Sequence, residues 1–454
     1  MKCCHSRMVH IFGSLTLFLA FCLISSVQAA GPEPWTVDSA EQWENAEEAS
    51  SNLSVSKGHA EPTKARAEFR SKVKAFREKR RAATIVFEQS PAWDNWVRKS
   101  GIEPEGGKDA PIFLVAGEGD YWYLNALRGG GNYSAWHTED MENWTLHKNA
   151  IGKDWVTTAE YADGTFYIYY DEPNDEDPHL VIDDDLTDTK NTDKGEVFAD
   201  PSHGSDSGVF RAEDGSFHLI YEDWNPIDAS AHSWDSPLAG HSESPDGIHG
   251  FEPHEHPAPI DERTVPIPEF GTFNHPAGKF VYHKHRGPQD AYGDYTVIRV
   301  GSHYYIFCDF DPHGAPMRLG YWTSDTLRSE FEWGGEIGKG FHPDPTIGFA
   351  EGQFYIFAQG PDFVSSGPWV DEVKARVGVD EDGDSKIDQW TDWQVVREEY
   401  SRRKGFSRIV DASPASIDLS PLPAGYGFAF EFRTRDTTED KAKPIMSRVK
   451  MSFE

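Results

Sequence analysis

The chain has 454 residues, 38% of them apolar and 26% charged, a globular composition long enough for several domains or for one large all-β unit with an extension. Acidic residues outnumber basic ones 76 to 43, and the formal net charge of −33 at pH 7 repels phosphate backbones and anionic lipid, which excludes nucleic acid and membrane surfaces as partners. Aromatic residues reach 13%, a share that suits edge-packed sheet, flat surfaces for stacking a ligand, or both.

Residues 1–30 read as an export signal. Lys2 and Arg7 precede an apolar run from Leu15 to Ile24, and the small residues from Ser25 to Ala30 supply what a signal peptidase accepts. The apolar core is about ten residues against the roughly 20 that span a bilayer, so the reading is a secreted or periplasmic protein without a membrane anchor after cleavage. Three of the four cysteines lie in this segment, which leaves Cys308 and no internal disulfide. Residues 31–104 are expected to form a linker and an amphipathic helix. Over Thr63 to Arg81, Ala65, Phe69, Val73 and Phe76 share one helical face, and a basic stripe including Lys64, Arg66, Arg70 and Lys74 covers the other. That stripe is expected to dock on the chain's own acidic body or to join two copies as a homodimer.

From residue 105 to 454 the sequence repeats itself. A short aromatic strand appears five times, with an aromatic or His at 123, 167, 218, 305 and 355, a period near 50 with one long interval. A Gly-containing or polar turn precedes most copies, such as Asp163-Gly164 and Asp214-Gly215, and a polar segment leads from each into another strand. Short strands at that period predict an all-β fold, a five-bladed β-propeller with the N-terminal helical extension attached.

The first strand of a blade lines the central axis, so residues that open those strands converge. The openings read as Asp109 to Ile112, Trp155 to Ala159, Asp206 to Phe210, Asp294 to Ile298 and His342 to Ile347, the last containing Asp344. A single aspartate at a strand start is ordinarily a turn former. Four at corresponding places predict carboxylates crowded on one axis, where like charge keeps one of them protonated, as a general acid requires. Acid and base groups so placed suit cleavage of a glycosidic bond.

Over about residues 105 to 400 these motifs resemble the five-bladed propeller glycoside hydrolases, family 43 most closely, with families 32 and 117 related. Lys108-Asp109-Ala110-Pro111-Ile112-Phe113 is similar to the blade-one opening, with an alanine inserted before the proline, and Asp206 to Gly215 is similar to the blade-three opening. The resemblance implies Asp109 as general base, Asp206 as the residue that orients and tunes the acid, and Asp294 as the acid. Asp294 stands where that family has a glutamate, one methylene longer. Asp290, His275, His283 and His285, in the long insertion between the third and fourth units, are the other acid candidates. His342 resembles a blade-five histidine near the axis, and Arg286 is a candidate contact for an acidic or sulfated sugar. Trp122, Trp155 and Trp234 are candidate stacking platforms, with His283, His285, His342 and Asp344 as further substrate contacts.

Asp380, Asp382, Asp384 and Asp388 place oxygen ligands at alternate positions, the chemistry of hard calcium, although the glycine spacing is not that of an EF-hand. The expected function is a secreted glycosidase acting, by inversion, on a plant or algal polysaccharide or its oligosaccharides. It needs no cofactor for the chemistry and has at most a structural calcium. A phosphorylase of the family 130 type, using Lys284, His285 and Arg286 for phosphate, and an inactive sugar-binding propeller are the alternatives.

Overall fold

The computed structural model describes residues 32–55, 58–64, 66–91, 93, 97–98, 109–126, 132–172, 177–199, 205–222, 239–253, 272–275, 278–281, 291–311, 317–328, 331–337, 344–358, 364–366, 372–435 and 445–454. The regular elements among the described residues are strands, with one helix, Ala40–Ala46. Ser39 caps that helix, its Oγ accepting from the Gln42 amide, while the Gln42 side chain accepts from the Asp38 amide at 2.8 Å. These contacts satisfy helix N–H and loop N–H groups together.

Five antiparallel sheets follow the sequence repeat. The first runs Asp109–Gly117, Asp120–Ala126, Tyr133–Thr138 and Thr145–Ile151; the second runs Val156–Ala162, Thr165–Asp171, Pro178–Asp183 and Thr192–Glu196. The third comprises Ser205–Arg211, Phe217–Glu222, Ala239–Ser244 and Glu252–Pro253, and the fourth Ala291–Val300, His303–Asp311, Arg318–Ser324 and Glu332–Ile337. The fifth takes Thr346–Ala350, Gln353–Phe357 and Val364–Ser366 and borrows its last strand, Val97–Arg98, from before the first sheet. The first strands of the five sheets touch in cyclic order, the fifth returning to the first.

The aromatic repeat is explained by packing between sheets. Second-strand rings reach across to the neighbouring sheet, as in Trp122 on Phe166 at 5.5 Å, Tyr167 on Phe217 at 4.9 Å and Tyr123 on Phe357 at 5.4 Å. Each such pair adds about 0.5–1.5 kcal/mol beyond the area it buries. At the axis the first strands approach so closely that a Cβ on Gly208 would lie 2.0 Å from the Tyr295 carbonyl oxygen.

The segments before and after these sheets form a second sheet pair. One sheet orders Trp35–Val37, Ile445–Phe453, Ala82–Ser90 and Ala415–Asp418; the other includes Glu47–Ser51, Arg66–Ser71, Gly425–Arg435 and Glu372–Asp380. Their facing sides bury one core, with Trp43, Phe69, Phe87, Val377, Phe430 and Met451 among its members. A boundary at residue 104/105 therefore does not separate the units, because residues on both sides of it share these sheets.

The helix expected over residues 63–81 is replaced by two strands, Arg66–Ser71 and Lys74–Arg80. Burial in the first alternates strictly, with Ala67, Phe69 and Ser71 inward, so the period of two prevailed over the helical spacing of Ala65, Phe69, Val73 and Phe76. The basic stripe is partly consumed within the chain. Arg70 pairs with Glu431, which also holds Arg376 at 2.6 Å, and Lys79 lies over the Tyr426 ring. The homodimer expected through a helix has no helix to use.

A hairpin, Glu399–Arg402 with Ile409–Ser413, joins the two parts. Its second strand runs parallel to Ala291–Val300, pairing Ile409 with Arg299 and Val410 with Val300.

Candidate functional site

The openings of the first strands carry a shared backbone device. Ala110, Trp155, Asp206, Asp294 and Asp344 all have positive φ, at 42°, 56°, 50°, 49° and 57°. In three sheets the residue sits in a bulge: the steps Asp109 to Ile112, Ser205 to Gly208 and Gly293 to Thr296 face Ala126 to Leu124, Glu222 to Ile220 and Asp309 to Phe307. One extra residue is thus accommodated in a left-handed conformation, which re-aims its side chain. Aspartate tolerates that conformation better than most residues, whereas Ala110 and Trp155 hold it against a cost of about 1–2 kcal/mol.

Buried acids brace these openings. The Asp206 amide donates to Asp171 Oδ2 at 3.1 Å, and the Asp344 amide donates to Asp309 Oδ1 at 2.8 Å. In both cases the acceptor lies at or near the end of the second strand of the preceding sheet, 35 residues earlier. The Ala110 amide donates to Asp344 Oδ2 at 3.3 Å, which ties the fifth opening to the first.

The outcome is a carboxylate cluster at one end of the axis. Carboxyl oxygens of Asp294, Asp309 and Asp344 lie within 4.8 Å of one another. Asp171, Glu222 and Asp309 are buried, while Asp206, Asp294 and Asp344 are partly buried. The Asp294 carboxyl is pushed well above the ordinary carboxylate range, first by desolvation and then by the charges of Asp344, Asp206, Asp309 and Glu222. Groups so close do not titrate independently, and the cluster holds a proton on Asp294 under conditions where an isolated aspartate is ionised.

The structure brings together Asp206, Asp294 and Asp344 as the sequence predicts. In the first sheet the corresponding place is taken by Ala110, and Asp109 lies in register with Ser205 and Gly293. Only the backbone of Asp109 is described. Trp155 stands at the corresponding opening in the second sheet and is 56% exposed. Trp122 is a core residue, 6% exposed, packed on Phe166 with its indole N–H donated to Asp120 at 2.7 Å. It lies third in its strand, toward the end of the sheet away from the opening, and its buried ring offers no stacking face, which corrects its assignment to substrate. Trp234, His283, His285, Arg286, His342 and Asp290 lie outside the described residues; His275 is described as strand backbone.

Asp171, Glu222 and Asp309 were absent from the sequence expectation although a signal exists. Each directly follows an apolar pair in its second strand (Tyr169-Tyr170-Asp171, Ile220-Tyr221-Glu222, Phe307-Cys308-Asp309), and 35 residues separate Asp171 from Asp206 and Asp309 from Asp344.

Oxygens of Asp380, Asp382 and Asp384 also gather within 4.8 Å, in the second sheet pair. Asp380 accepts from the Gly383 and Ser385 amides, and Asp384 from Lys386, so part of their capacity serves the turn itself. Asp388 instead accepts from the Glu381 amide at 2.7 Å. The oxygen-only donor set of the first three fits a hard cation.

No protein-family model and no curated protein matches the chain. Solved structures do. An endo-arabinase from Bacteroides thetaiotaomicron is 9% identical, with 61% of this chain and 99% of that chain covered and a TM-score of 0.42. A thermostable family-43 glycoside hydrolase is 12% identical, covering 70% and 96%, at 0.40. A family-43 β-xylosidase/α-arabinofuranosidase from a compost metagenome, in complex with xylotriose, is 12% identical, covering 71% and 99%, at 0.43.

Proposed function

We propose that the five cyclically arranged sheets are the blades of a five-bladed β-propeller and that the carboxylate cluster at its axis is the active site of a glycoside hydrolase. The observation that carries this reading is the meeting of the Asp294, Asp309 and Asp344 carboxyls at strand openings set by backbone geometry, where burial and neighbouring charge raise the Asp294 carboxyl. A protonated acid beside an ionised one is the pairing that glycosidic cleavage requires.

In this reading Asp294 gives its proton to the glycosidic oxygen as the bond to the anomeric carbon breaks. Asp206 takes a proton from the attacking water, and the water oxygen bonds to that carbon. Once the leaving sugar has departed, Asp206 releases its proton to solvent and Asp294 takes one up from solvent, an uptake favoured by the neighbouring charges of Asp344 and Asp309. Asp206 is preferred to Asp109 as base because Asp206 occupies the left-handed opening beside Asp294 and Asp109 does not. With inversion, the acid and base carboxyls stand roughly 6.5–9.5 Å apart in the complex. Trp155 is the proposed sugar platform. The substrate class is a plant or algal polysaccharide or its oligosaccharides, met after export directed by residues 1–30. The chemistry requires no cofactor, and calcium in the Asp380 to Asp384 loop would be structural.

A glycan panel with product anomers followed by NMR, run with and without phosphate, tests the reaction. Phosphate-independent release of an inverted sugar, lost in Asp294→Asn, is expected. Obligate phosphate would assign a phosphorylase, and binding without cleavage would assign a lectin-like role; either outcome contradicts the hydrolase reading.

A further inference from the structure

The end of the propeller axis away from solvent is closed by a residue that belongs to no blade. Arg408 lies in the hairpin that joins the two parts of the molecule and is 3% exposed. Its Nη1 donates to the Ile347 carbonyl at 2.8 Å and to Thr296 Oγ1 at 3.1 Å, and its Nη2 donates to the Ala159 carbonyl at 3.2 Å and the Phe113 carbonyl at 3.5 Å. Those four acceptors come from the first strands of the fourth, fifth, second and first sheets. Glu160, fully buried, places Oε2 3.8 Å from Arg408 Nε. One guanidinium therefore ties four of five first strands around a single point.

That point lies just beneath the acids. Thr296 follows Asp294 by two residues, Ile347 follows Asp344 by three and Phe113 follows Ala110 by three, so the guanidinium is about 7–10 Å along the strands from the cluster. The loop carrying it is anchored on several sides. Ser407 Oγ donates to the Tyr161 carbonyl at 3.3 Å, Arg211 lies 5.3 Å from the Phe406 ring, Arg403 pairs with Glu213, and the Arg299 amide donates to the Arg408 carbonyl at 2.9 Å. Such a constellation exceeds what closing a hole requires, since an apolar side chain would plug the axis without desolvating a guanidinium.

We propose that Arg408 is a positioning residue for the acid cluster: the joining hairpin supplies it beneath the acids, where its guanidinium fixes the spacing of four of the first strands and hence of Asp294 and Asp344. This inference rests on the glycosidase reading for its kinetic readout only. The charges that raise Asp294 are Asp344, Asp206, Asp309 and Glu222, while Arg408 faces Glu160 further along the strands. Removing the guanidinium leaves Glu160 without its counter-charge and takes a positive charge from beneath the cluster.

The experiment compares Arg408→Ala, Arg408→Lys and the parent full-length chain. In Arg408→Ala, kcat is expected to fall about 100-fold through misplacement of the acids, with KM little changed. The alkaline limb of the rate profile, where Asp294 loses its proton, should move to higher pH because a stabilising positive charge has gone. Millimolar guanidinium ion, entering the vacated hole, should restore both. Parental kcat and an unmoved alkaline limb, or loss of stability alone without guanidinium rescue, overturns the proposal. Should Arg408→Ala fail to fold, Arg408→Lys decides: a point-charge ammonium cannot reach all four acceptors, so reduced kcat supports the role and parental kcat refutes it. Should the parent cleave no glycan, the hydrolase reading fails separately, and 13C NMR titration of the Asp294 carboxyl still tests Arg408. An upward shift in the variant supports the proposal, and no shift overturns it.

Discussion

Asp294 is the residue on which chemistry and stability conflict. Its folded pKa is raised, so its proton is bound more tightly in the native state than in the unfolded chain, and the associated stability is greatest at acid pH and lost as pH rises through the raised value. Asp294→Asn should therefore abolish cleavage, by roughly a thousandfold or more, while raising the thermal midpoint at neutral pH and flattening its pH dependence. Paired activity and calorimetry across pH check both halves; a variant destabilised at neutral pH would contradict the crowding. Asp206→Asn should also lose activity, and azide should restore turnover by replacing the water that Asp206 activates. Azide acting on Asp109→Asn instead would return the base to the first sheet. Three of the clustered acids were legible as strand openings in the sequence. The shift from Asp109 to Ala110 was not, because a bulge changes which residue faces the axis without changing composition or hydrophobic pattern.

At the scale of elements, the aromatic repeat made the five sheets legible because each second strand must pack on both neighbours. The region around residues 63–81 shows where reading by periodicity fails. Arg66 to Ser71 satisfies a strand pattern and a helical one, and only the partner strand Gly425–Arg435, more than 350 residues away, decides between them. The tight axis gives a sharp prediction: Gly208→Val drives side-chain atoms into the Tyr295 carbonyl and should cost about 3 kcal/mol or more, read as a lowered urea midpoint. In the Asp380 to Asp384 loop, calcium would relieve repulsion among three carboxylates. Calcium should raise the melting temperature of the second sheet pair and chelation should lower it, with kcat unchanged; no shift with either would leave the turn as its own support.

At the scale of the whole molecule, the two parts are interlocked along the chain. Residues 35–90 contribute strands that have no core without residues 372–453, and Val97–Arg98 then completes the fifth sheet. Truncation after residue 413 removes Gly425–Arg435 and Ile445–Phe453 and should leave residues 35–90 protease-sensitive, whereas an independent N-terminal extension would survive. This arrangement could not be read from sequence because neither end carries a complete hydrophobic face. The central claim, that distant acids meet on one axis and keep a proton there, is tested most directly by 13C NMR titration of aspartate carboxyls, with Asp294 assigned by its loss in Asp294→Asn. A midpoint well above the unperturbed value of about 3.9 is predicted, and an ordinary aspartate midpoint for that resonance would contradict the account.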